Sequence, residues 1–222
     1  MRSIVEEFPM INVLTAQPFA VQFLLACFVG YFIGSSNMAY YLGKLKGVNL
    51  REGGSGNLGA SNAMILLGKR AALLTAAHDI LKTVIAIWLV KQLFPENALV
   101  YFAAGTASVL GHIFPFYLKF RGGKGFASFL GMILALNWRF FFAMIVAVVI
   151  ITLLSDYIVL GTFTVISAYP LYLLFSGMFS AACIVLVGTT CIFWKHRENI
   201  VRLKCGKEIG LRRTLKGKDR IQ

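Results

Sequence analysis

The chain has 222 residues, 58% of them apolar and 14% charged, with a mean hydropathy of +0.75 and a formal net charge of +13. Soluble domains carry about a quarter charged residues, so this balance excludes an ordinary soluble protein. Unbroken apolar runs near the ~20 residues that cross a bilayer as a helix argue against a membrane barrel, which needs strand-and-turn alternation. The expectation is an all-α polytopic membrane protein. The basic excess flanks apolar runs, where cations act as topological anchors facing anionic lipid, so membrane lipid and not nucleic acid is the expected partner. Cys27, Cys183, Cys191 and Cys205 form neither a close pair nor a metal-ligand pattern, and no metal or cofactor is expected.

Residues 1–18 read as a short arm outside the membrane, with Arg2, Glu6, Glu7, Pro9 and Pro18 and no cleavable signal pattern. A first span is expected over Phe19–Leu42, ending at Lys44 and Lys46. The loop from Lys44 to Asn62 contains Gly53-Gly54-Ser55-Gly56-Asn57-Leu58-Gly59-Ala60-Ser61-Asn62. Four glycines in ten residues let backbone N–H groups turn toward one point, and Ser55, Asn57, Ser61 and Asn62 add side-chain donors. Such a loop before a helix suits a phosphate; a flexible linker between two spans is the alternative.

A second helix is expected over Ala63–Phe94, with Lys69 and Arg70 near the headgroups and His78, Asp79 and Lys82 deeper. Asp79 and Lys82 are three apart and can pair on one face, either as a structural ion pair or in contact with a substrate. A third span, Ala98–Phe116, carries His112 and Pro115 near its end. The loop Lys119-Phe120-Arg121-Gly122-Gly123-Lys124-Gly125 is the second glycine cluster, now with three cations. Phe126–Leu136 is short for a fourth span, so part of the preceding loop is expected to be helical or re-entrant. The turn Asn137-Trp138-Arg139 leads to a fifth span ending near Leu154. Ser155-Asp156-Tyr157 precedes a sixth, headed by Gly161-Thr162 and ending near Phe175. A seventh covers Ala181–Trp194, and a basic tail, Lys195 to Gln222, begins with Lys195-His196-Arg197-Glu198-Asn199.

Seven spans put the termini on opposite sides. Eighteen of the 22 Lys and Arg fall on one side, which the positive-inside rule assigns to the cytoplasm, leaving the N-terminus outside. Both glycine loops and the tail then share the cytoplasmic face. There, glycine lets backbone N–H groups close on phosphate oxygens, and lysine and arginine supply charge. His196 is a candidate anion donor or base near neutral pH, and an interfacial residue otherwise.

Three stretches in this order resemble the bacterial acyl-phosphate:glycerol-3-phosphate acyltransferases, the PlsY family. They are Gly54–Asn62, Gly111-His112-Ile113-Phe114-Pro115 running on to Phe120–Gly125, and His196–Asn199. The resemblance implies a seven-helix bundle with an outer N-terminus. It also implies acyl transfer from acyl phosphate to the sn-1 hydroxyl of glycerol 3-phosphate, giving lysophosphatidic acid and phosphate. On that reading Ser55, Lys124, His196 and Asn199 are the expected catalytic residues. Gly54, Gly56, Asn57, Gly59, Ser61, Asn62, Gly122, Gly123, Gly125 and Thr162 would hold the phosphates. The chain departs from the family pattern at Ile65, where an arginine is usual, and at Val159, where a serine is usual; Thr162 keeps a hydroxyl nearby. Arg51, Lys69 or Arg70 are the candidates to replace the missing arginine. A transporter of phosphorylated metabolites and a weakly active or non-catalytic paralogue are the alternative functions.

Overall fold

The computed structural model describes residues 13–215, so most of the expected N-terminal arm and the end of the basic tail lie outside the described residues. Among the described residues these helices follow in order: α1 Phe19–Ser35, α2 Met38–Leu45, α3 Ala60–Leu67, α4 Lys69–Leu93, α5 Ala98–Ile113, α6 Phe126–Leu136, α7 Trp138–Ser155, α8 Ile158–Phe175, α9 Phe179–Lys195, α10 Arg197–Lys204 and α11 Leu211–Leu215. A 3₁₀ turn, Phe116–Leu118, follows α5. Among the described residues there is no strand, as the apolar runs required.

Two expected elements are divided. The first span continues to Leu45 but breaks at Ser36-Asn37, because the Asn37 side chain accepts a hydrogen bond from the Tyr40 N–H at 2.8 Å and so caps a new helix. The expected second helix begins at Ala60 and splits into α3 and α4 at Gly68, whose φ of +88° belongs to glycine's range. Five helical segments are long and apolar enough to cross a membrane, and a sixth arises if α9 and α10, bent by 45°, count as one span. The eleven-residue α6 makes the expected seven an approximate count.

The central helix is α5. Val100, Val109 and Ile113 are fully buried on it, packed with Ile87 and Val90 of α4, Phe129 and Ile133 of α6, Tyr169 of α8, and Val185 and Ile192 of α9. The outer faces carry exposed Phe28, Leu153 and Phe175, as expected of surfaces solvated by lipid. Lipid tails are as apolar as leucine, so helices in a bilayer are held together by close packing and interhelical hydrogen bonds. Small residues supply that packing between α1 and α5: a Cβ on Gly30 would overlap the Ala104 carbonyl oxygen, one on Gly34 that of Ser108, and one on Gly111 that of Tyr31. Across the bundle, the Thr83 and Ser108 hydroxyls bond at 2.8 Å between α4 and α5.

This contact is testable. Gly34→Ala pushes α1 off α5 and is expected to destabilise the bundle by about 1–3 kcal/mol, the usual cost of overpacking. The measurement is the thermal unfolding midpoint of the detergent-solubilised protein, which should fall by several degrees (~) while Val187→Ala, on a lipid-facing position, leaves it nearly unchanged.

Candidate active site

The first glycine loop is organised by Asn62. Its Oδ1 accepts from the Ser55 N–H at 2.8 Å, and its Nδ2 donates to the Leu50 carbonyl at 2.7 Å and the Gly53 carbonyl at 3.3 Å. Asn37 adds a second tie, donating to the Leu58 carbonyl at 3.0 Å. Gly54 and Gly56 take positive φ of 58° and 66°, which lets the loop fold tightly around the Asn62 amide. The loop ends at Gly59, so the N-terminus of α3, with its outward N–H groups, opens beside Ser55 and Asn57.

The second loop is held from beneath by α5. The Gly122 N–H donates to the Ile113 carbonyl at 3.0 Å and the Gly123 N–H to the His112 carbonyl at 3.1 Å. Any side chain on Gly123 would run into the His112 ring. Both N–H groups are therefore committed to the helix end. Gly125, with φ of +92°, turns the chain into α6, whose first residues face the same space as α3.

His112 belongs to a buried network. The Lys82 ammonium donates to Asp79 Oδ1 at 2.8 Å, to His112 Nδ1 at 2.8 Å and to the Ser36 carbonyl at the α1–α2 break at 2.7 Å. His112 Nδ1 also lies 3.3 Å from Asp79 Oδ1. The ammonium has only protons to offer, so the shorter contact makes His112 Nδ1 an acceptor and puts its proton on Nε2. His78 completes the cluster, 3.3 Å from Asp79 and 3.0 Å from the Ser36 hydroxyl. Asp79 and Lys82 thus form the ion pair expected from their spacing, and Asp79 also lines the site.

The tail folds back over the bundle end. Lys124 Nζ donates to Asn199 Oδ1 at 2.6 Å, Asn199 Nδ2 donates to Glu208 Oε1 at 2.6 Å, and Arg202 Nε donates to Glu208 Oε2 at 2.8 Å. The chain beyond is fastened to the α7–α8 turn, where the Leu211 N–H bonds the Asp156 carbonyl and the Arg212 N–H bonds Asp156 Oδ1, both at 2.8 Å. Burial, with a further push from Arg202, lowers the Lys124 ammonium to about 8. Burial likewise lowers His196 to about 4, so the ring is neutral at pH 7. Its Nδ1 lies 2.8 Å from the Ile192 carbonyl, which takes the ring proton and leaves Nε2 as an acceptor. His196 is accordingly a weaker base than its position in the chain implied, and its N–H is not available to an anion.

These segments meet in one cavity of about 540 Å³. Of the residues expected from the sequence, Ser55, Asn57, Gly59, Ser61, Lys124, Gly125, Thr162, His196 and Asn199 line it. Gly54, Gly56, Asn62, Gly122 and Gly123 do not; they shape the two loops from behind, and the Asn62 side chain and the Gly122 and Gly123 N–H groups are already committed to loop bonds. The Thr162 hydroxyl back-bonds to the Ile158 carbonyl at 3.3 Å. Ile65 and Val159 also line the cavity, so the two departures from the family pattern fall on its wall. Arg51 does not replace the missing arginine, since its guanidinium donates to the Leu118 and Arg121 carbonyls at 2.9 and 2.6 Å. Lys69 does reach the cavity, and so does Arg202. Arg202 was legible in principle, three residues after Asn199 and hence on the same helical face. Glu208 was not: its partners Asn199 and Arg202 lie nine and six residues back across a turn that spacing along the chain does not report.

The family model for glycerol-3-phosphate acyltransferases matches residues 24–206. A glycerol-3-phosphate acyltransferase of Prochlorococcus marinus strain NATL1A is 37% identical over 191 residues, covering 83% of this chain and 96% of that one. One from Halorhodospira halophila is 39% identical over 186 residues, covering 81% and 92%. The crystal structure of PlsY (YgiH), an integral membrane glycerol 3-phosphate acyltransferase, in its glycerol 3-phosphate form superposes with a TM-score of 0.79 at 34% identity, covering 85% of this chain and 95% of that one. Its lysophosphatidic acid form gives 0.76 at 33% identity. With its three motifs gathered around one cavity and its length matched by these relatives, the chain belongs to the glycerol-3-phosphate acyltransferase family.

Proposed function

We propose that the protein transfers an acyl group from acyl phosphate to the sn-1 hydroxyl of glycerol 3-phosphate, releasing phosphate and lysophosphatidic acid. The observation that carries this reading is the single cavity in which two helix N-termini, Lys69, Lys124 and Arg202 face one space. Two phosphate-bearing substrates need such a cationic, donor-rich meeting place. Met64, Ile65, Ala72, Leu73 and Ala76 give the same cavity an apolar wall suited to an acyl chain. The solved relative in its glycerol 3-phosphate and lysophosphatidic acid forms supports the acceptor and the product. The positive-inside bias supports a cytoplasmic cavity and an outer N-terminus in a bacterial inner membrane.

Phosphate is a fair leaving group, so alignment and charge stabilisation suffice without an acyl-enzyme. Lys124 holds a phosphate and stabilises the tetrahedral oxyanion's charge, while Ser55, Asn57 and Ser61 position the other phosphate. The hydroxyl proton goes to a substrate phosphate oxygen. A phosphate monoester takes its last proton at about 6, against about 4 for the buried His196. His196 Nε2 then orients the acceptor by accepting a hydrogen bond from its other, non-attacking hydroxyl. Lys69 takes the place of the arginine replaced by Ile65.

Purified protein given acyl phosphate should release phosphate only when glycerol 3-phosphate is present, and acyl-CoA should not serve as donor. Release without acceptor dependence, or a trapped acyl-enzyme, overturns the reading. Lys124→Ala should cost at least ~100-fold in kcat/KM, the scale of losing a buried charge-assisted contact to the reacting group. Lys69→Ala should raise KM for one phosphate substrate about tenfold or more, and Ile65→Arg in that background should restore it. The profile of kcat/KM against pH should be a bell. Its alkaline limb lies near 8, because Lys124 is cationic below that value and loses its charge above it. Its acid limb lies near ~6, where the phosphate is protonated, and not near the His196 value.

A further inference from the structure

One side chain spans the two glycine loops. Arg51 leaves the first loop beside Leu50, whose carbonyl Asn62 holds. The two protons on one of its terminal nitrogens go to two carbonyls of the second loop, Leu118 at 2.9 Å and Arg121 at 2.6 Å, the latter 70 residues away. The guanidinium is not among the groups lining the cavity, and its Nε is buried without a partner. An unmet buried donor is a cost, so the gain from placing an arginine here lies in the two carbonyls it grips.

Those carbonyls bracket a strained segment. Lys119 and Phe120, which lie between them, have φ of +54° and +57°, and the Arg121 N–H returns to the Leu118 carbonyl at 3.2 Å. This is the pattern of a type I′ turn, which favours Asn-Gly because both central residues are left-handed. Lys-Phe suits it poorly, since a Cβ crowds the backbone in that region, and Phe120 is 59% exposed and gains little burial in return. Such a conformation persists only where its surroundings over-determine it. The near end is held by the Phe120 N–H on the Pro115 carbonyl at 3.1 Å, and by Leu118, which is buried with Leu50 and Leu58 in the small core under the first loop. Arg51 ties the far end, and Gly122, Gly123 and Lys124 follow directly.

We propose that Arg51 is a positioning residue for the acyl transfer, clasping a left-handed turn that its own sequence disfavours and so setting the Lys124 loop in register with the Ser55 loop. The inference rests on the reading of the cavity given above, and it assigns Arg51 no contact with the reacting atoms. Each loop is shaped on its own, the first by Asn62 and the second by the carbonyls at the end of α5. What the clasp adds is their mutual placement. Asn62 binds both the Ser55 N–H and the Leu50 carbonyl, so the path from Ser55 to Arg121 runs through two side chains and the peptide bond between Leu50 and Arg51. Losing that register leaves each substrate able to bind but misaligns the pair, which is a loss in kcat more than in KM.

The test compares wild type, Arg51→Gln, a turn variant carrying Lys119→Asn and Phe120→Gly, and the combination of all three substitutions. Acceptor-dependent phosphate release and the thermal midpoint are measured in detergent. Asn-Gly adopts a type I′ turn unaided, so the turn variant should keep kcat within about twofold of wild type. Arg51→Gln should lose about tenfold or more in kcat, with KM for either substrate changed by less than about threefold. In the combined protein kcat should return to within about threefold of wild type, because a turn that holds itself no longer needs the clasp. A guanidinium that acted on a phosphate by its charge, or that merely folded the first loop, would leave the combined protein as impaired as Arg51→Gln, and that result overturns the proposal. So does an undiminished kcat in Arg51→Gln, or an inactive turn variant. If Arg51→Gln alone does not fold, the combined protein decides: folded and active it supports the proposal, unfolded or inactive it overturns it. Failure of wild type itself to release phosphate from acyl phosphate and glycerol 3-phosphate would instead overturn the underlying reading, a separate result.

Discussion

The hydrogen bond between Lys124 and Asn199 joins the two halves of the site. It links the loop before α6 to a tail segment 75 residues later, and both flank the same cavity. Burying an ammonium costs several kcal/mol unless it is paired, so the loop cannot close over Lys124 without an acceptor from elsewhere. Asn199 is a neutral acceptor: it satisfies the geometry and leaves the charge available to an incoming anion. A carboxylate in that position would have neutralised the lysine before any substrate arrived. Placing the carboxylate one bond further out, at Glu208, preserves both the order and the charge.

The network around Lys82 does comparable work one layer deeper. It gathers the α1–α2 break, α4 and α5 at one point, and α5 in turn carries the second glycine loop through the His112 and Ile113 carbonyls. A lysine, an aspartate and a histidine inside a helical bundle are expensive singly and tolerable together, because each meets the others' donors and acceptors. The His112 ring leaves no room for a side chain on Gly123, and the His112 carbonyl with the Pro115 ring leaves none on Gly122. The loop lies flat on an imidazole ring, with no room for a side chain.

Much of this was legible in the chain. Apolar run length gave the helical class and most boundaries, and cation counting grouped the loops that the structure brings together. The breaks at Asn37 and Gly68 escaped notice because hydropathy does not register a cap or a positive φ. The roles of individual loop residues were harder. Asn62, Gly122 and Gly123 belong to motifs that look like phosphate cradles, yet the Asn62 side chain and the Gly122 and Gly123 N–H groups are spent on holding the backbone in shape. Only the spatial arrangement separates residues that face a ligand from those that build the wall behind it. His196 is a similar case: its neutrality follows from burial, which spacing along a chain does not report.

The shortness of α6 has a consequence for where chemistry takes place. Its eleven residues rise about 17 Å, whereas the adjoining α7, starting two residues later, rises about 27 Å. If both helices leave the same interface near Trp138, Gly125 and Lys124 stop some ~10 Å short of the level reached by Ser155. On that geometry the cationic floor of the cavity is recessed below the rim that the longer α7 reaches. On the acyl-transfer reading proposed above, a polar head would descend a shallow well and shed water on the way, while an acyl tail would meet the cavity's apolar wall from the side.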